Sequence, residues 1–166
     1  MPAYIVGSGT FLPERAVTNE ALAPQLGISP AQILKSTGIL RRQVGVPRNN
    51  YQFVATAALR AALQDATWQP QEIDDLIFGT MTPDRFVPGS ACEVQQTLGV
   101  GEVPCLDIRA ACCNAVYGLQ LAAALIANRA AKRIALCLAE VQSHWLDLSL
   151  PRRISRCYLG MVPRLC

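Results

Sequence analysis

Apolar residues in this chain fall in short solid runs, and longer stretches with helical spacing separate those runs. Runs at 3–6, 76–80, 105–108 and 134–138 read as strands, those at 105–108 and 134–138 as buried ones. Residues 39–46 are a further strand candidate. Between them lie helical patterns. Ser29 and Pro30 make a helix start, with an N-cap serine and a proline in the first turn, and Gly38 ends that helix. Residues 51–66 carry Val54, Ala58, Ala61 and Ala62 on one face, as an amphipathic helix does. Residues 89–98 form a helix whose Ser90 and Ala91 allow close packing, and residues 112–128 are apolar nearly all round. A helix of that last kind is expected to be buried on most sides. Strands alternating with helices predict an α/β fold with a largely parallel sheet.

The junction between strand 105–108 and helix 112–128 holds Cys112. There, free backbone N–H groups and the positive end of the helix dipole favour a thiolate, and a thiolate is the reactive form. Position alone leaves two readings open for Cys112, a nucleophile or a buried structural cysteine. The adjacent Cys112–Cys113 pair reads as one nucleophile beside a packing residue, with a redox pair as the other reading.

Composition narrows the function classes. The chain has 166 residues, enough for one domain with a core. It is 51% hydrophobic and 16% charged, which predicts apolar surface covered by a partner or by further chain. A net charge of +3, aromatics at 6% and no basic stripe argue against a nucleic-acid groove. No apolar segment reaches membrane-spanning length, and the 3–6 run breaks at Gly7 without a basic start, unlike a signal peptide. Seven cysteines lack CxxC spacing and a histidine-rich companion tract, so neither a metal site nor a disulfide framework is expected. Reduced thiols in the cytoplasm are the simplest reading.

Four motifs, in order, resemble the β-ketoacyl-acyl-carrier-protein synthase III group of the thiolase superfamily. Gly7-Ser8-Gly9-Thr10-Phe11-Leu12-Pro13 is similar to its opening strand and turn, and Ser36-Thr37-Gly38-Ile39 to its threonine-glycine-isoleucine signature. Pro88-Gly89-Ser90-Ala91-Cys92-Glu93-Val94-Gln95 resembles its dimer-side helix, and the stretch from Asp107 to Cys112 its nucleophile motif. The resemblance implies a thiolase-like α/β fold, represented by its N-terminal half, a mostly parallel sheet with helices packed on it. It implies an acyltransferase of fatty-acid or related ketide synthesis, with no cofactor and no metal. Cys112 would take an acyl group from a thioester primer, acyl-CoA or acyl-ACP, and the acyl-enzyme would condense with malonyl-ACP, losing carbon dioxide. Thr37 and Val87 fall at substrate-binding positions, Val87 reaching the acyl pocket from across a homodimer in the full-length enzyme.

The likeness has departures. Gln32 and Ser36 stand where the family clamps the adenine of coenzyme A between tryptophan and arginine. Either the primer arrives on another carrier or coenzyme A is held differently. Cys113-Asn114 replaces a small alanine-glycine pair after the nucleophile, which would alter the floor of the pocket. The family's decarboxylating histidine and asparagine belong to a C-terminal half. The single histidine, His144, lies in the wrong part of the pattern and reads as a surface-loop or packing residue.

Residues 1–149 therefore read as the N-terminal half of a condensing enzyme, and residues 150–166 as an aberrant tail. Reading the codons of Cys157 to Pro163 from one base earlier forces a leucine at the Cys157–Tyr158 junction and a glycine at Met161–Val162. Degeneracy permits phenylalanine, glycine, aspartate and alanine at the remaining positions. The resulting leucine-phenylalanine-glycine-aspartate-glycine-alanine string is the family's next motif, so the tail reads as frameshifted between about Ser149 and Arg153. This half alone is expected to be inactive in condensation. Three other readings stay open, a specialised-pathway acyltransferase with a donor other than coenzyme A, a non-catalytic partner subunit, and a pseudogene product with no function.

Overall fold

The computed structural model describes residues 2–46 and 50–144, so the frameshift reading of the tail lies outside the described residues. The chain divides into two units, one built from residues 2–11 and 50–140 and one from 12–46 and 141–144.

The first unit carries a three-stranded parallel sheet in the order β4-β3-β5, with β3 (Asp75–Gly79) between β4 (Cys105–Ile108) and β5 (Ile134–Leu138). The registers pair Leu76 with Cys105 and with Ala135, and Gly79 with Ile108 and with Leu138. Every residue of β3 is buried, as the unbroken apolar run requires of a central strand covered on both faces. Successive side chains of a strand point to opposite faces. On β5, Leu136 points at Gly118 of α5 (Asn114–Ala127), whereas the neighbouring Cys137 thiol lies 3.8 Å from the Ala55 carbonyl of α3 (Tyr51–Ala66). Thus α5 lies on one face, and α3 lies on the other beside α4 (Ser90–Leu98). The core between them includes Val54, Leu59, Phe78, Val94 and Leu98.

The second unit pairs β1 (Ala16–Thr18) antiparallel to β2 (Arg41–Gln43) and packs α1 (Asn19–Leu26) on α2 (Pro30–Thr37). Leu22, Ala23, Leu26 and Ile33 form its buried centre. The Ser29 cap is a full capping box: the Ser29 hydroxyl accepts from the Gln32 N–H at 3.2 Å, and the Gln32 side-chain oxygen accepts from the Ser29 N–H at 2.8 Å. Gly38 closes α2 in the left-handed conformation, φ 70°.

The expected helices 51–66 and 89–98 and strands 105–108 and 134–138 match observed elements, and the sheet is parallel as predicted. Three expectations need correction. Residues 3–6 belong to no strand: Tyr4, Ile5 and Val6 are 76%, 75% and 52% exposed. Strand 39–46 shrinks to Arg41–Gln43, whose partner β1 is only three residues long and carries no periodicity to read. Helix 112–128 begins in earnest at Asn114, and only Asn114 and Gly118 are buried along it. It covers the sheet with one side, and Val116, Tyr117 and Leu119 on its other sides stand exposed among the described residues.

Candidate active site

Strand β4 ends at Ile108, and the chain then turns through Arg109 and Ala110 into a single 3-10 turn, Ala111–Cys113, that leads into α5. Cys112 is the middle residue of that turn and is exposed. Ala111, just before it, has φ 48°, a left-handed conformation that costs an L-residue roughly 1–2 kcal/mol. Two hydrogen bonds fix the turn. The Cys113 N–H donates to the Ala110 carbonyl at 2.9 Å, and the Ala110 N–H donates to the Asn114 side-chain oxygen at 2.6 Å. Asn114 is buried against Gly79 of β3, where a Cβ would lie 3.0 Å from the Asn114 Cβ and 2.6 Å from Leu138. The residue after the cysteine pair thus anchors the turn to the sheet.

The cysteines divide by environment. Cys92, Cys112 and Cys113 are exposed and Cys137 is buried. Burial, followed by the nearby Cys92, Asp75 and Asp107, pushes the Cys105 thiol up to about 11, so it stays protonated and unreactive at neutral pH.

Beside the turn, Asp107 of β4 reaches to the start of α4. Both its carboxylate oxygens accept from the Ala91 N–H at 3.3 Å, and the N-cap residue of α4, Gly89, has no side chain to do so. A Cβ on Gly89 would lie 2.1 Å from the Asp107 carboxylate, so the close approach requires glycine. The loop before α4 is held by Arg85, which pairs with Glu93 at 2.8 Å, and by Phe86, which lies under the Arg109 guanidinium at 5.0 Å. Val87 follows Phe86 and projects into solvent, 85% exposed.

Glu140, past the end of β5, accepts from the Met81 N–H at 2.7 Å and the Thr82 hydroxyl at 2.9 Å. Burial raises its pKa against those two hydrogen bonds. Nearby, the Tyr51 hydroxyl donates to the Ala139 carbonyl, and burial pushes the phenol well above its ordinary value. Neither group was singled out in the sequence.

Cys112 and Val87 lie in the first unit, whereas Thr37 lies in the second. The Thr37 hydroxyl is engaged locally, donating to the Ile33 carbonyl at 2.7 Å and accepting from the Ile39 N–H at 3.0 Å. Ser36 likewise donates to the Gln32 carbonyl at 2.8 Å. His144, in the second unit, donates from Nε2 to the Val46 carbonyl at 2.6 Å, as a packing histidine does. Among the described residues, no group of three or more His, Cys, Asp or Glu side chains could hold a metal ion.

The family profile described as 3-oxoacyl-[acyl-carrier-protein (ACP)] synthase III matches residues 106–159, which include the cysteine turn and reach into the tail. The β-ketoacyl-[acyl-carrier-protein] synthase III of Nitratidesulfovibrio vulgaris is 37% identical over 149 residues, covering 88% of this chain and 45% of that protein. The chain is similar to the N-terminal part of synthase III proteins. It spans about half the length of the curated relatives it matches. Its fold is the thiolase-like fold of solved synthase III enzymes. The 3-oxoacyl-[acyl-carrier-protein] synthase III of Aquifex aeolicus aligns at a TM-score of 0.83 with 34% identity, over 87% of this chain and 46% of that one. The priming β-ketosynthase of the R1128 polyketide biosynthetic pathway aligns at 0.85 with 27% identity, over 91% and 45%. No helix among the described residues is long and apolar enough to cross a membrane.

Proposed function

We propose that this chain supplies the acyl-accepting half of a synthase III condensing enzyme, with Cys112 as the nucleophile. The exposed position of Cys112 on a strained, doubly pinned turn between β4 and α5 carries the reading. The Cys112 thiolate attacks the carbonyl carbon of a thioester primer, and a tetrahedral intermediate collapses to acyl-cysteine as the carrier thiolate leaves. Attacking and leaving thiols have similar basicity, so neither direction is strongly uphill. Decarboxylative condensation with malonyl-ACP then needs donors that stabilise the charge developing on the malonyl thioester. His144 is committed to packing at Val46 and does not serve that step. We therefore read the isolated chain as able to take the acyl group but not to condense it.

Val87, bare on its loop, fits a role at the acyl pocket of a second copy in a homodimer. Thr37 is carried as a substrate-binding position by motif alone. The reading sets the reaction in the cytoplasm, where the thiols stay reduced. Residues 150–166 are read as frameshifted. DNA whose earlier frame does not continue openly past the codon for Cys166 would sink that part.

A second reading keeps the chemistry and changes the donor. Gln32 is spent in the α2 capping box and Ser36 on that helix's carbonyls, so neither supplies an adenine clamp. The likeness to a polyketide priming ketosynthase accords with a specialised pathway. Incubating the chain with radiolabelled acetyl-CoA and, separately, acetyl-ACP decides between them. Label on the Cys112 peptide, absent in Cys112→Ala, supports acyl transfer, and the effective carrier identifies the donor. No label from either would favour a non-catalytic partner subunit.

A further inference from the structure

We infer that Cys112 and Cys113 form a peroxide-responsive dithiol, in which a reversible bond between the two sulfurs withdraws Cys112 from acyl transfer. The inference rests on the proposed role of Cys112 as acyl acceptor and makes Cys113 its resolving thiol. The sequence reads Cys113 as a packing residue, and the structure gives it no such role. It is exposed, like Cys112, whereas the thiol that packs is Cys137, buried between β5 and α3. Cys113 occupies the N-cap position of α5, yet its side chain makes no capping hydrogen bond. Its contribution to the turn is made by its backbone N–H, which any residue but proline supplies. What is specific to cysteine at position 113 is its thiol chemistry.

Two reachable sulfurs on adjacent residues open one reaction sequence. Redox-responsive cysteines are solvent-accessible and commonly lie next to a resolving cysteine. The Cys112 thiolate attacks one oxygen of hydrogen peroxide, so that a sulfur–oxygen bond forms and the oxygen–oxygen bond breaks. Hydroxide leaves and takes up a proton as water, and Cys112 is oxidised to a sulfenic acid. The Cys113 sulfur then attacks the sulfenic sulfur. A sulfur–sulfur bond forms, the sulfur–oxygen bond breaks, and hydroxide leaves with the Cys113 proton as a second water. The sum is one peroxide and two thiols giving one disulfide and two waters.

Adjacency makes that bond reversible. A trans peptide joins the two cysteines and sets their Cα atoms about 3.8 Å apart. Disulfides ordinarily join Cα atoms about 4.4–6.8 Å apart, and departures from that range store strain that makes the bond easier to reduce. Such a bond is a poor staple and a suitable switch. A dithiol reductant opens it by attacking one sulfur to give a mixed disulfide. Its second thiol then displaces the cysteine, the reductant leaves as a disulfide, and Cys112 and Cys113 return to thiols. Without Cys113, the sulfenic acid meets a second peroxide and becomes a sulfinic acid, which thiols do not reduce. Cys113 thus spares the nucleophile from irreversible loss.

The test treats the full 166-residue chain with a small excess of hydrogen peroxide at neutral pH and removes the excess with catalase. One portion is alkylated with iodoacetamide and digested with trypsin, and another is offered radiolabelled acetyl-CoA or acetyl-ACP. Residues 110–129 form one tryptic peptide that holds Cys112 and Cys113 and no other cysteine, while Cys92 and Cys105 fall together on 86–109. We expect peptide 110–129 to lose the mass of two hydrogens and to escape alkylation, and dithiothreitol to reverse both changes. Labelling should fall to background on oxidation and return in full with dithiothreitol. In Cys113→Ala the peptide should instead gain two oxygens, and dithiothreitol should not restore labelling. Cys113→Ser repeats the comparison should the alanine variant fold poorly. An unchanged peptide 110–129 overturns the inference. So does its cross-link to another peptide, a sulfinic acid at Cys112 in the wild type, or full recovery of Cys113→Ala by dithiothreitol. A reduced chain that takes no label overturns the acyl-acceptor reading and the gating of acyl transfer with it, while the mass of 110–129 separately decides whether the pair is a redox dithiol.

Discussion

The Asn114 side chain accepts a hydrogen bond from the Ala110 N–H at 2.6 Å, spanning the turn that presents Cys112. Asn114 is 5% exposed, so its removal leaves a buried donor without a partner. Asn114→Ala should cost about 1–3 kcal/mol in chemical denaturation. Because the same bond sets the turn, iodoacetamide labelling of Cys112 should change in rate at denaturant concentrations where the protein is still folded. Unchanged stability would show that the turn is held by Ala111 and Cys113 alone.

Gly89 and Asp107 form one device, in which a bare backbone lets a carboxylate cap a helix from the neighbouring strand. Asp107→Ala removes the cap, worth about 0.5–2 kcal/mol. Gly89→Ala drives a methyl group onto the same carboxylate and should cost a comparable or larger amount, about 1–3 kcal/mol. With the carboxylate gone, the added methyl has nothing to strike. The double variant should therefore be less destabilised than the sum of the two, by about 0.5–3 kcal/mol, in a double-mutant cycle on urea melts. Additive losses would mean that the close approach and the cap are unrelated.

The parts of this fold that were legible share a cause. Strand 105–108 and helix 51–66 are set by side-chain periods that the surrounding structure does not override. The hairpin Ala16–Thr18 with Arg41–Gln43 was not legible, because its pairing spans a long interval and neither strand is long enough to show a period. Segment 3–6 has a strand's composition, but a strand exists only where a neighbour supplies the ladder, and the described residues supply none. The apolar surface of α5 likewise extends beyond the one side that the described residues cover. At the site, Cys112 was visible from its place between strand and helix. The work of Asn114, Asp107 and Glu140 was hidden, since each acts on a backbone N–H brought near by the fold.

Glu140 gives the protein a pH dependence of definite sign. Its folded pKa is raised, chiefly by burial, so the folded state binds this proton more tightly than the unfolded chain does. Between the ordinary carboxylate value and the raised one, the folded state holds more protons. The stability contributed by this group therefore falls as pH rises through that interval. Glu140→Gln keeps an acceptor for the Met81 N–H and has no proton to lose. Across that interval, the difference in stability between variant and wild type should move in favour of the variant as pH increases, measured by urea melts at a series of pH values. A difference that stays flat with pH would assign no role to Glu140.

Cysteine reactivity should follow the same burial logic. A thiol must be reachable and must ionise to attack an electrophile, and Cys105 fails the second condition because burial lifts it to about 11. Cys137 fails the first, being fully buried between β5 and α3. Limited alkylation with iodoacetamide at pH 7, followed by peptide mass spectrometry, should modify Cys92, Cys112 and Cys113 while sparing Cys105 and Cys137 until the protein is denatured. Exposure alone does not rank the three exposed cysteines among the described residues, but a thioester does: an acyl donor that seats beside the turn should protect Cys112 selectively and leave Cys92 open. Equal protection at Cys92 and Cys112 would mean that the donor acylates exposed thiols indiscriminately. That result would remove the main support for a built acyl-accepting site.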